Sequence, residues 1–368
     1  MPRRTIVQLL PALHSGGVER STLEIAAALV AAGHRSIVIS AGGRLVPLLE
    51  REGSEHIALP VGVKSLRIVA TASRLRRTLA ELKPDLVHVR SRLPAWCLRL
   101  ALRGLESPPP VVSTVHGLNS PGRYSGIMTR AERIICVSQT VRAHVLRHWP
   151  ATDPDRLRVI ERGIDPSQFP RGHQASEAWL RRLHGEHPEL RGGRLLLLPG
   201  RGTRLKGHAD AVRLLAALRA AGEDARLWLL GADEPGRRPY LAEIERLAWQ
   251  LGVRSALAIS APRDDVREAY AAADLVLQLS GKPEAFGRTV LEALSVGRPV
   301  LGWDHGGVGE LLQALYPAGA VPLHDMDGLT AAARRLLAAP APMPVTIPQT
   351  LAAMQAATLR VHDELLAD

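Results

Sequence analysis

"KPEAFGRTVLEALSVGRPVLG", Lys282 to Gly302, sets two glutamates eight positions apart, Glu284 and Glu292, with Gly287 between them. It opens as a loop, turns near Arg288 into an apolar helical pattern, and closes on a strand-like run, "RPVLGW" at 298–303. A loop feeding a helix amino terminus offers free N–H groups and the positive end of the dipole, and Gly287 permits close backbone approach, so an anion is stabilised there. Glu284 can accept hydrogen bonds from sugar hydroxyls. Glu292, about one turn into the helix, stands where acidic residues of nucleotide sites hold a ribose diol. The competing reading makes Glu284 a helix-start acid and Glu292 a surface residue. Against it, "LEAL" reads as buried, where a free carboxylate is costly.

Outward from this segment the same strand and helix rhythm repeats. Strand-like runs occur at 5–10, 35–40, 85–91, 110–117, 133–138 and 156–165, then at 194–200, 225–231, 256–260 and 274–280. Amphipathic patterns separate them, including 19–34, 209–221 and 238–251. Apolar strands alternating with amphipathic helices give parallel sheets covered on both faces. The fold class is α/β, with two Rossmann-like doubly wound domains, which suits 368 residues. The polar stretch 165–194 reads as the boundary, and "APAPMPVTIP" (339–348) isolates a last helix at 349–366. The expected domains are 1–168 and 169–345, followed by a helical tail at 346–368.

Hydrophobic residues make up 46% of the chain, yet no window approaches the ~18 uninterrupted apolar residues of a spanning helix. The amino-terminal apolar run is broken by Gln8 and Pro11 and lacks a small-residue cleavage site, so no signal peptide is expected. Cys97 and Cys136, the only cysteines, sit in apolar surroundings and read as reduced buried thiols of a cytoplasmic protein. The net charge of +11 is unevenly placed: residues 1–165 hold 24 Lys+Arg against 13 Asp+Glu, and the remainder balances. That asymmetry suggests an anionic partner for the first half, whether membrane surface, phosphorylated glycolipid or nucleic acid.

"HSGGVE" places Gly16 and Gly17 after the first strand, at a helix start, where a doubly wound sheet binds ligand; a plain tight turn explains the pair equally well. "LPGRGTRLKGH" (198–208) follows the first strand of the second half. From Gly200 onward it could bring Arg201, Lys206 and a helix amino terminus to one pyrophosphate, though without Walker A spacing.

With "VHG" (115–117), "VIERGID" (159–165) and "GGVGEL" (306–311) added, these ordered motifs resemble the retaining family 4 glycosyltransferases of the GT-B fold. "SRLPAW" (91–96) looks like the bacterial subset that builds lipopolysaccharide cores and other surface glycans. The resemblance implies two domains facing a central cleft. It implies that Arg201 and Lys206 neutralise a donor pyrophosphate beside Gly200, and that Glu284, with the backbone of Phe286 and Gly287 and with Arg288, meets the donor sugar and phosphate. Glu292 would bind the ribose, Gly16 and Gly17 would reach the pyrophosphate from the first domain, and His116 would lie near the transferred sugar. The tail helix would pack back on the first domain. Arg162 stands where the family usually has Asn, and Gly202 and Leu205 replace a hydrophobic residue and an aromatic.

Two D-x-D triplets, "DPD" (153–155) and "DMD" (325–327), read as turn and helix-cap chemistry, so no obligatory metal or other cofactor is expected. Arg67, Arg74 and Arg77 share one face of an amphipathic pattern whose apolar stripe is Ile68, Ala72, Leu75, Leu79 and Leu82; Arg92, Arg99 and Arg103 recur at helical spacing nearby. They form either an ordinary solvated face or a surface docking on anionic lipid or acceptor. The resulting expectation is a peripheral enzyme on the inner face of the cytoplasmic membrane, moving a hexose from a nucleotide sugar to a lipid-linked or lipopolysaccharide-core acceptor. The rivals are a nucleotide-sugar epimerase and a nucleic-acid-binding protein. An aromatic content of 3% is poor for base stacking, and no nucleic-acid partner is expected.

Overall fold

The apolar runs of the sequence become central strands buried on both faces, as parallel sheets require. The computed structural model describes residues 2–14 and 16–367. Two units divide it, Met1–Arg162 with Leu351–Asp368, and Gly163–Thr350.

In the first unit the chain runs β1 (Thr5–Leu9), α1 (Gly17–Ala31), β2 (Arg35–Ser40), α2 (Val46–Arg51), β3 (Glu55–Ala58), α3 (Arg67–Leu82) and β4 (Leu86–Val89). It continues α4 (Arg92–Leu102), β5 (Val111–Val115), β6 (Arg133–Cys136), α5 (Gln139–His148) and β7 (Leu157–Val159). The sheet order is β3-β2-β1-β4-β5-β6-β7. Every pairing is parallel. Connections run outward from β1 and then return to β4, so the topological switch, where such sheets bind ligands, lies between β1 and β4.

The second unit runs α6 (Glu177–Glu186), β8 (Arg194–Pro199), α7 (His208–Ala220), β9 (Ala225–Leu230), α8 (Arg238–Gln250), β10 (Leu257–Ser260) and α9 (Val266–Ala272). It goes on with β11 (Leu275–Gln278), α10 (Arg288–Val296), β12 (Val300–Trp303), α11 (Gly306–Leu315), β13 (Ala320–Val321) and α12 (Met326–Ala338). Its sheet, β10-β9-β8-β11-β12-β13, is again parallel with its switch between β8 and β11. The last helix, α13 (Leu351–Leu366), belongs to the first unit. Glu364 takes hydrogen bonds from Arg133 and Arg158, and Gln355 donates to the Glu24 carbonyl.

Two sequence expectations need correction. The stretch 165–194 is no bare linker: Ser176 caps α6 by accepting from the Trp179 N–H at 3.2 Å, and Trp179 and Leu183 are buried in the second core. The run 156–165 keeps strand pairing only over β7; beyond it Ile164 N–H donates to the Gln349 carbonyl at 3.1 Å. Thus the division falls at Arg162 and Gly163, and again at Thr350 and Leu351, where 168 and 345 are expected from sequence. Both D-x-D triplets cap turns: Asp153 accepts from the Asp155 N–H and Asp325 from the Gly328 N–H, each at 2.9 Å. Cys97 and Cys136 are free and buried, and burial pushes their thiols up to about 11 and about 12. Among the described residues no helix is long and apolar enough to cross a membrane.

Candidate functional site

In the second unit the loops after β8 and β11 meet at the switch point. Lys206 Nζ lies 2.6 Å from Glu284 Oε1, both side chains about a quarter exposed. The Ser280 hydroxyl donates to the same oxygen. The lysine stem folds over Gly200, where a Cβ would stand 3.3 Å from Lys206 Cδ. The Glu284 backbone is clamped from α11: the Gly307 N–H donates to the Glu284 carbonyl at 2.8 Å. Gly306 holds φ at +61°, and a Cβ there would come within 2.8 Å of that carbonyl, so glycine is required on both counts.

Gly287 caps α10 with φ near −160°, which any residue adopts. Its missing side chain instead admits Val308, 3.1 Å from where a Cβ would be. Phe286 turns its ring into the core, leaving its backbone as the part able to meet a ligand. Glu292 is 7% exposed. It is not an isolated buried charge, because the Tyr270 hydroxyl donates to Oε2 at 2.8 Å and Arg288 Nε stands 3.6 Å from Oε1. Arg288 also donates to the Gly163 carbonyl at 2.9 Å. Arg201 is exposed and, among the described residues, no ion pair occupies it. The departure at Gly202 has a packing reason, since a Cβ there would meet the Ala232 carbonyl.

In the first unit Gly16 has φ +136° and so needs to be glycine, whereas a Cβ on Gly17 would meet nothing within 4 Å. The turn explanation therefore fits Gly16, and Gly17 leaves open space at the start of α1. Beside it lies a cavity of about 280 Å³ lined by Pro11, Val18, Glu19, Arg90, Arg92 and His116 among others. Arg90, 2% exposed, donates from Nε to Gln8 Oε1 at 3.1 Å and from Nη1 to Ser21 Oγ at 3.4 Å. Arg162 donates to Ser21 Oγ at 2.7 Å and to His116 Nδ1. A guanidinium has no acceptor, so Nδ1 must present its lone pair and the ring proton sits on Nε2. Burial, with Arg162 and Arg90 nearby, holds the His116 pKa well below its usual value. His116 is thus a neutral imidazole whose Nε2–H has no partner among the described residues.

Arg67, Arg74 and Arg77 are exposed on α3, and the stripe Ala72, Leu75 and Leu79 is buried beneath them. Arg92 donates to Ser125 Oγ at 3.1 Å and joins the His116 cavity, while Arg99 and Arg103 line a separate one.

Residues 15–168 match the family model "Glycosyltransferase Family 4", and residues 181–348 match "Glycosyl transferases group 1". The two models together span both halves of the chain, which thus carries a domain pair similar to that of the family 4 glycosyltransferases. A crystal structure of a glycosyltransferase from Rickettsia africae ESF-5 shares 25% identity, covers 100% of both chains and has a TM-score of 0.84. The phosphatidyl-myo-inositol mannosyltransferase of Mycolicibacterium smegmatis is 26% identical over 86% of this chain and 80% of that one. The lipopolysaccharide glucosyltransferase WaaG of Escherichia coli K12 is 30% identical over 47% of this chain and 44% of its own. The chain spans about half the length of several such curated relatives, WaaG included.

Around these two sites, sequence reasoning missed Tyr270, Ser280, Arg90 and Ser21. Nothing in "REAYAAAD" marks the Tyr270 hydroxyl as the support of a glutamate 22 residues on. The Gly306–Gly307 pair was visible in "GGVGEL", but its service to Glu284 was not.

Proposed function

We propose that the chain transfers a hexose from a nucleoside diphosphate sugar, with retention of anomeric configuration, to a lipid-linked or lipopolysaccharide-core acceptor. The observation that carries this reading is the Lys206–Glu284 ion pair at the β8/β11 switch, beside the amino terminus of α10 and with Glu292 one turn inside that helix. The pair is a stand-in arrangement: donor pyrophosphate replaces Glu284 on Lys206, and the released carboxylate accepts from sugar hydroxyls. Glu292, steadied by Tyr270, takes the ribose diol. Lys206, Arg201 and the helix dipole stabilise the charge growing on the leaving phosphate, the role a divalent ion would otherwise serve. In this reading the acceptor attacks from the face the leaving group departs, with the departing phosphate accepting the acceptor's hydroxyl proton. The neutral His116 donates its Nε2–H to a sugar oxygen.

The acceptor class is supported by the two curated relatives, which carry lipid and lipopolysaccharide substrates in their names. It is supported also by the basic first half and by Leu66, 91% exposed, and Val69, 63% exposed, beside Lys64 and Arg67. Apolar tips set among cations suit the inner face of an anionic membrane rather than a nucleic acid. Incubating the protein with UDP-, GDP- and ADP-sugars and a membrane-lipid extract, then analysing glycolipid products and anomeric configuration by NMR, tests the reading. An α-linked product from an α-linked donor supports it; an inverted product, or donor epimerised without transfer, overturns it.

A further inference from the structure

A second cavity in the first unit, about 340 Å³, opens between α4, the turn Ser125–Arg130 and the β4/β5 part of the sheet. It is of small-molecule size. Ala95, Leu98, Leu102 and Ile127 give it an aliphatic lining, and Arg99, Arg103 and Arg130 stand around them. Among the described residues none of these arginines has a carboxylate partner. The one acid in the lining, Glu132, already accepts from the Val111 N–H at 2.8 Å. Arg99 is half-buried, and its pKa is lowered by burial and by the neighbouring Arg130 and Arg103. Arg103 and Arg130 are exposed beside it, so three cations border one aliphatic cavity.

The cavity is apart from the His116 site. Its lining shares no residue with that of the His116 cavity, although Val89 and Ile127 adjoin Arg90 and Met128, and it reaches Val111 at the amino end of β5. No aromatic side chain lines it, so a nucleobase would have nothing to stack on. An inorganic anion would leave the aliphatic lining unused.

We propose that this cavity binds a lipid phosphate, with the phosphate on Arg99, Arg103 and Arg130 and the leading methylenes of one chain against Ala95, Leu98, Leu102 and Ile127. The site is independent of donor binding. It would seat the first unit on one phospholipid or polyprenyl phosphate at a defined place, beyond the diffuse attraction of the α3 face. Each apolar methylene buried adds to binding, and each guanidinium contributes charge-assisted hydrogen bonds to the phosphate.

The test is calorimetric titration of the full chain with dodecyl phosphate below its micellar concentration, beside inorganic phosphate and the uncharged dodecyl maltoside. Dodecyl phosphate is expected to bind at least about 100-fold more tightly than either. The double change Arg99→Gln with Arg130→Gln should weaken it about 100-fold, at roughly tenfold per charged hydrogen-bonding group. Ala95→Phe, which fills the cavity, should bring dodecyl phosphate down to the level of inorganic phosphate; Leu102→Gln serves if that variant does not melt cooperatively. Equal affinity for all three probes, or dodecyl phosphate binding untouched by the arginine changes, would overturn the proposal. So would loss of dodecyl phosphate binding in Glu292→Ala, which would place it in the second unit. Nucleotide titrations of the same samples report the donor site separately.

Discussion

In the second unit the carboxylates of the site are held by cations, Glu284 by Lys206 and Glu292 by Arg288, whereas in the first unit Arg90 and Arg162 donate to an amide oxygen, a hydroxyl and an imidazole. The first arrangement can exchange partners: Lys206 and Glu284 are each about a quarter open to solvent, and a pyrophosphate outbids one carboxylate for an ammonium by charge alone. The second is anchored on the buried Arg90 and sets one tautomer of His116. One unit thus holds an ion pair open to exchange and the other a hydrogen-bonded set fixed by its own partners.

The largest effect should break the switching unit. Lys206→Ala removes positive charge where the leaving group develops it, and kcat in steady-state transfer assays should fall by about 10²–10³ with a much smaller change in KM. A fall confined to KM would contradict the assignment. Glu292→Ala should weaken nucleotide binding by about 100-fold in calorimetry, and Tyr270→Phe by about tenfold, since it deletes one hydrogen bond to a charged group. If Tyr270→Phe is the more damaging, Tyr270 rather than Glu292 meets the ligand.

On the first unit, neutralising Arg74 and Arg77 together should weaken binding to phosphatidylglycerol vesicles about 30-fold, at ~1 kcal/mol for each charge near an anionic surface. Nucleotide affinity should be unchanged, and a parallel loss of both would contradict a separate docking face.

Acidification sharpens the contrast more gently. His88, His116 and His362 of the first unit are buried with pKa values pushed down by desolvation and nearby positive groups, His362 to about 3. His208 of the second unit is pushed down to about 4 by burial. The folded pKa of each lies below the unfolded value of about 6.5, so the unfolded chain binds more protons in acid. Stability therefore declines as pH drops below about 6.5 toward the folded pKa, by up to about 1.4 kcal/mol per pH unit for each histidine. Thermal melts from pH 7 to 5 should show the first unit destabilised more steeply, and His362→Asn should flatten that slope. A pH-independent melt would contradict these buried neutral imidazoles.

The fold was legible because parallel strands buried on both faces leave continuous apolar runs, of which "RLLLLP" at β8 is the plainest. What escaped was α6. Half of its residues are charged or polar, and only Trp179 and Leu183 are fully buried. In the site, glycines and acids were legible because helix starts and strand ends have local signatures. The pairing of Lys206 with Glu284 was not, because the partners are 78 residues apart and only the β8/β11 adjacency joins them. Arg162, read as a departure from the family's Asn, carries the hydrogen bond that orients His116, a role that only its position against Ser21 and His116 discloses.

The central claim is that the β8/β11 switch holds a nucleoside diphosphate sugar through Lys206, Glu284 and Glu292. Titration of the purified protein with UDP, GDP, ADP and their common sugar conjugates, first without metal and then with Mg²⁺ or Mn²⁺, tests it most directly. The account predicts metal-independent binding of one nucleotide family that is lost in Glu292→Ala. Binding that requires the metal, or that survives Glu292→Ala undiminished, would contradict it.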